Sequence, residues 1–95
     1  MYKLGTTKRF DKALKLCRKR GYPIEKLQKA IYLLVENGTL PSEYKPHILH
    51  GNHEGEWEAR IESDWLLIWE QNDTELTLLM LTTGTHSDLF SKTKR

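Results

Sequence analysis

The hydrophobic period of this chain changes once, and any fold must accommodate that change. Phe10, Ala13, Leu14 and Cys17 recur at i, i+3, i+4 and i+7, the stripe of a helix buried along one side. Leu27, Ala30, Ile31, Leu34 and Val35 repeat the pattern in a second segment. In "EWEARIES" the period drops to two: Trp57, Ala59 and Ile61 alternate with Glu58, Arg60 and Glu62, as on a strand with one buried face. "DWLLIWEQ" and "ELTLLMLTT" follow, parted by the turn signal "QND". The second of these is apolar on both faces, as an interior strand is. The pattern predicts an α+β fold, with an N-terminal helical hairpin packed on one face of a small antiparallel β-sheet.

Local punctuation agrees. Thr6 or Thr7 can cap the first helix, Gly21 stops it, Pro23 opens the second and Gly38 ends it. Two helices joined by so tight a turn are expected to pack antiparallel. Met1 to Leu4 reads as a short initial strand. Between the halves lies "LPSEYKPHILHGNHEGE", a loop punctuated by Pro and Gly that holds three of the four His residues. Residues 1–95 are expected to form a single domain, with 92–95 a charged tail.

Composition excludes several classes. Apolar residues at 38% and charged residues at 29% suit a globular chain rather than a disordered one. No apolar run approaches a membrane span, and Lys3, Lys8, Arg9 and Lys12 interrupt the apolar core that a signal peptide needs. Cys17 is the one cysteine, so no internal disulfide forms and a reducing, cytoplasmic location is expected. Charge is unevenly spread. Residues 1–29 hold ten Lys or Arg against Asp11 and Glu25, giving +8, so the remainder carries −6 to reach the total of +2. One reading is contact with a polyanion such as RNA or DNA phosphate; the other is a solvated helix face. Both stay open on charge alone.

The candidate chemistry lies in three places. His47, His50 and His53 recur every third residue, but Pro46, Gly51 and Gly55 interrupt a helix and no second cluster completes a tetrahedral set. A metal is therefore not expected. Acid–base work or phosphate contact suits these histidines, as does a plain polar loop. Asp64 stands between two strands; were the strand from Trp57 straight, Arg60, Glu62 and Asp64 would share a face. That face would be a surface ion-pair cluster or a site where Arg60 neutralises a phosphate. His86 and Phe90 lie in "TTGTHSDLF", either as a turn histidine and a tail anchor or as a reactive group beside a ring on which a base stacks.

Three segments, "LPSEYKPHILHG", "IESDWLLIW" and "TTGTHSDLF", together with the basic hairpin before them, give the chain a resemblance to the RelE superfamily of bacterial type II toxins. It most resembles the YafQ branch, over nearly its whole length. The resemblance implies a compact toxin silenced by a cognate antitoxin protein. When free, such a toxin enters the A site of the 70S ribosome and cuts mRNA, with no metal or cofactor and no membrane partner. By motif, His47 matches the loop histidine of "Tyr-Lys-x-His-x-Leu". Asp64 and Trp65 match the "Asp-Trp" pair, His86 the histidine of "Gly-Thr-His", and Phe90 the closing aromatic.

Arg60 departs from the pattern, because YafQ-like members carry histidine there. A guanidinium is no base at neutral pH, but it stabilises charge on a phosphate. His50 and His53 are extra loop histidines that can compensate. The implied reaction is attack of the RNA 2′-OH on its own adjacent phosphate. His86 with Asp64 or His47 would divide the proton transfers, while Arg60 and a loop histidine, such as His50, hold the phosphate. Phe90, Trp65 and His53 would contact substrate. Lys8, Arg9, Lys12, Lys15, Lys19 and Arg20 would dock on ribosomal RNA. Two rival readings share the fold: a ParE-like gyrase-binding toxin, and a catalytically weak relative that mainly binds antitoxin.

Overall fold

A computed structural model describes residues 1–49 and 55–90. In chain order they form β1 (Lys3–Thr6), α1 (Lys8–Lys19), α2 (Ile24–Asn37), a 3-10 turn at Ser42–Tyr44, β2 (His47–Ile48), β3 (Glu56–Glu62), β4 (Trp65–Asn72), β5 (Thr77–Gly84) and α3 (His86–Phe90).

Of the two threonines, Thr7 caps α1. Its Oγ1 accepts the Phe10 N–H at 3.0 Å, satisfying one of the orphan donors of the first turn. The same hydroxyl donates to the Leu81 carbonyl at 2.9 Å, so the cap also fastens α1 to β5. At the other end Gly21 has φ +81. The Gly21 N–H reaches the Arg18 carbonyl and the Tyr22 N–H reaches the Cys17 carbonyl, the paired bonds of a Schellman stop. Phe10 and Cys17 are buried, and Lys8, Arg9, Lys12, Lys15, Arg18 and Lys19 are exposed. Leu27, Ala30 and Leu34 form the buried stripe of α2. Each helix packs chiefly on the sheet, α1 against β5 and α2 against β3.

The sheet has the order β1-β5-β4-β3-β2. Strands β2 to β5 are antiparallel, as the alternation predicts. The initial strand lies two residues later than expected and adds an edge parallel to β5. One face of the sheet meets the helices. Ala59, Trp65, Leu67, Trp69, Leu78 and Met80 join Phe10, Cys17, Leu27, Ala30 and Leu34 in one core, with half-buried Trp57 packed against it. Trp57 stacks on Trp69 across the strands, with centroids 6.0 Å apart. Burial of each large apolar side chain contributes about 1.5–3 kcal/mol. The exposed Lys26–Glu62 pair, at 2.6 Å, adds little beside that.

Register places different residues on the opposite face. His47, Glu58, Ile68 and Thr82 form one cross-strand row, and Arg60, Leu66 and Gly84 form the next. Two irregularities lie at this end of the sheet. Between Ile68 and Trp69 the β4–β5 register shifts by one residue on β5. Leu81 is thereby unpaired, and Thr83 falls on the core side with Met80 and Leu78. A second shift separates Arg60 from Glu62. It turns Glu62 toward Lys26 of α2, so Arg60, Glu62 and Asp64 do not share a face. A one-residue slip moves all later side chains to the other side of a sheet.

Candidate active site

Asp64 sits in the two-residue turn between β3 and β4, and its neighbour Trp65 anchors it. The Trp65 indole is 2% exposed. Its Nε1–H donates to Thr83 Oγ1 at 2.9 Å, and that hydroxyl donates onward to the Leu66 carbonyl at 2.6 Å. The Tyr22 ring meets the indole edge-on, 5.0 Å between centroids. The ring of Trp65, expected to contact substrate, lies in the core with its N–H already bonded to Thr83. Its work is to hold Asp64.

His86 opens α3 directly opposite. Its backbone N–H donates to Asp64 Oδ1 at 3.1 Å, and its ring Nδ1 lies 2.8 Å from the same oxygen. Hydrogen bonds from the His86 ring, and then from its backbone, hold the Asp64 carboxyl below the usual carboxylate range. An ionised carboxylate only accepts, so Nδ1 carries the proton. Nε2 is left as the nitrogen that a substrate can reach. This is the arrangement in which a carboxylate fixes the tautomer and orientation of a working imidazole. The dyad is exposed, 54% for the His86 side chain and 63% for Asp64, so substrate needs no opening motion to reach it. Phe90 lies one turn further on, its ring 6.3 Å from that of His86.

Beyond Gly84, Thr85 caps α3. Its Oγ1 accepts the Asp88 N–H at 3.1 Å, and Asp88 Oδ2 accepts the Thr85 N–H at 2.9 Å, a capping box. Gly84 has φ +152, and a Cβ there would lie 2.8 Å from Asp88 Oδ2. Only glycine leaves the box room.

His47 and Arg60 occupy the sheet face opposite the helices. His47 Nδ1 lies 3.0 Å from the Lys45 carbonyl, and Nε2 lies 3.0 Å from Glu58 Oε1. Both partners are acceptors, so both contacts are hydrogen bonds only when the ring carries two protons. Arg60 is exposed, in the row that ends at Gly84. His50 and His53 lie outside the described residues. Lys8, Arg9, Lys12, Lys15 and Lys19 form an exposed basic face on α1. Arg20, expected to dock on ribosomal RNA with them, is paired within the chain. Its guanidinium grips Asp88 with two bonds, at 2.6 and 3.1 Å.

Several residues of the site escaped the sequence reading. Glu58 was read only as the polar side of a strand, and Thr83 as part of an apolar run. Asp88 did carry a signal, since Thr-x-x-Asp before a helix is the capping-box pattern.

Two helices on one face of a five-stranded sheet, with a His–Asp pair where the last strand ends, define a RelE-like toxin. Residues 2–91 match the family described as the bacterial toxin of type II toxin–antitoxin system, YafQ, and the chain belongs to that family. The mRNA interferase toxin YafQ of Escherichia coli (strain K12) is 39% identical over 82 residues, 85% of this chain and 87% of that one. The crystal structure of the E. coli DinJ–YafQ complex superposes with a TM-score of 0.87 at 35% identity, covering 95% of this chain and 99% of that one. The metal-bound toxin from Helicobacter pylori gives 0.86 at 34% identity, covering 95% and 100%. In this chain, no group of three or more His, Cys, Asp or Glu among the described residues stands together to hold a metal ion. No helix among them is long and apolar enough to cross a membrane.

Proposed function

We propose that this chain is the toxin of a type II toxin–antitoxin pair, an endoribonuclease that cuts mRNA on translating ribosomes in the cytoplasm. The observation that carries the reading is the His86–Asp64 pair. It aims a ring nitrogen with a fixed tautomer at solvent beside an aromatic ring, with the exposed Arg60 in the cross-strand row that ends at Gly84.

His86 Nε2, its lone pair exposed, takes the proton of the RNA 2′-OH. The 2′-oxygen then bonds to the adjacent phosphorus and the bond to the 5′-oxygen breaks. The products are a 2′,3′-cyclic phosphate and a free 5′-OH. Asp64 stays ionised and stabilises the imidazolium that forms. His47, on the sheet face opposite the helices, supplies the proton for the leaving 5′-oxygen. Arg60 stabilises the charge that builds on the phosphorane. Where the family pattern has a histidine, this chain thus has a fixed cation, and proton transfer is left to His86 and His47. Phe90 offers its ring to a base. The basic face of α1 docks on ribosomal RNA, and a cognate antitoxin, as DinJ is for the E. coli protein, holds the toxin inactive.

The test is to map mRNA ends after induction, with and without translation. Cuts in coding sequence that vanish when initiation is blocked are expected. Gyrase-dependent DNA breaks with intact mRNA would overturn the reading in favour of a gyrase poison.

A further inference from the structure

Helix α3 spans five residues, too few to hold its place by its own hydrogen bonds. Yet it carries His86, whose ring must meet Asp64 within hydrogen-bond distance. What fixes it comes from far away in the chain. Arg20, the C-cap of α1, sends Nη1 to Asp88 Oδ2 at 2.6 Å and Nη2 to Asp88 Oδ1 at 3.1 Å. This two-point fork sets orientation as well as distance. Asp88 Oδ2 also receives the Thr85 N–H, so the fork, the cap and the first turn of α3 share one carboxylate. The Arg20 guanidinium lies 5.9 Å from the centre of the Tyr22 ring. Tyr22 packs on Trp65, the residue after Asp64. Both halves of the dyad are therefore braced on the same short stretch, Arg20 to Tyr22, where α1 gives way to α2.

We propose that Arg20 and Asp88 are positioning residues for catalysis, a clasp that sets α3 so that His86 Nδ1 meets Asp64. The inference rests on the reading of His86 as a proton carrier. Arg20 holds the Asp88 carboxyl down to about 2, so both partners are charged at any working pH. The clasp explains why one cation of the basic segment is withdrawn from the RNA-facing set. A lysine at position 20 would keep the charge and lose the fork.

The test uses purified chains carrying Arg20→Lys, Arg20→Gln or Asp88→Asn, assayed on translating ribosomes and by NMR of the His86 ring. Asp88→Asn keeps the shape and an acceptor for Thr85, so it stays informative should an Arg20 variant fold poorly. The clasp predicts that kcat falls about 10- to 100-fold while KM holds. The loss should be smaller for Arg20→Lys than for Arg20→Gln, and the ring resonances of His86 should move. In a His86→Ala chain the same substitutions should cost nothing further. Unchanged kcat with unmoved His86 resonances would overturn the proposal. So would a rise in KM with a shallower salt dependence and an unmoved ring, the signature of Arg20 touching RNA itself. Resonances that move while cleavage holds would overturn it too, because the clasp would then set the ring without serving catalysis; cleavage kept by His86→Ala would instead sink the reading of His86.

Discussion

Replacing Thr83 with valine separates the structural work of Trp65 from any contact with substrate. Thr83 is 2% exposed. Its hydroxyl takes the Trp65 indole N–H at 2.9 Å and gives its own proton to the Leu66 carbonyl at 2.6 Å. Valine keeps the β-branched shape that suits the strand, so the change is one of hydrogen bonding. It strands a buried donor, which costs about 1–3 kcal/mol. For a chain of this size, with a urea m-value near 1–2 kcal/mol/M, the unfolding midpoint should fall by roughly 1–2 M. Adding Trp65→Phe removes the orphan donor but leaves a cavity where the larger indole stood. The signature of the bond is therefore coupling: the double variant should lose less than the sum of the two single changes. Urea unfolding followed by circular dichroism reads the stabilities, and a cleavage assay well below the transition reads function. Cleavage should stay within about threefold of the parent, because folded molecules keep Asp64 against His86. An unmoved midpoint for Thr83→Val would refute the anchoring account. Cleavage lost by Trp65→Phe at full stability would return Trp65 to the substrate.

Two further predictions follow from the charges. Reversal of Lys8, Lys12, Lys15 and Lys19 to glutamate should weaken cleavage on ribosomes and flatten its salt dependence. Thermal stability should be unchanged, because all four are exposed; unchanged activity would return them to a solubility role. The Asp88 carboxyl is held at about 2, chiefly by the Arg20 fork. A carboxyl depressed in the folded state adds stability above its ordinary range, and that stability is lost as pH falls toward the folded value. The amide resonance of Thr85 should therefore titrate near about 2, and Arg20→Gln should raise that midpoint toward the ordinary carboxylate range.

The helices were legible because their signals are local: a 3.6-residue stripe, Thr7 before it, Gly21 and Gly38 after. So were β3, β4 and β5, whose alternation and Asn72 turn need no partner to be recognised; Asn72 Oδ1 takes the N–H groups of Thr74 and Glu75. The parallel edge was not legible, because four residues, three of them exposed, carry no pairing direction. Nor were the two register shifts, each the outcome of competition between neighbouring strands. They decide that Thr83 faces inward and Glu62 turns toward α2. The motif histidine and aspartate were visible as residue types, but their mutual geometry was not. Trp65 and Arg20 show the same limit: the sequence offers a ring beside a candidate carboxylate and a cation in a basic segment, and only the fold shows what each already touches.

The most direct test of the account is the rate of mRNA cleavage on translating ribosomes by His86→Ala against the parent chain, with the fold of both checked by circular dichroism. Loss of a general acid–base group predicts a fall of about 10²–10⁴-fold with the fold intact. Cleavage at the parent rate by a folded His86→Ala chain would contradict it.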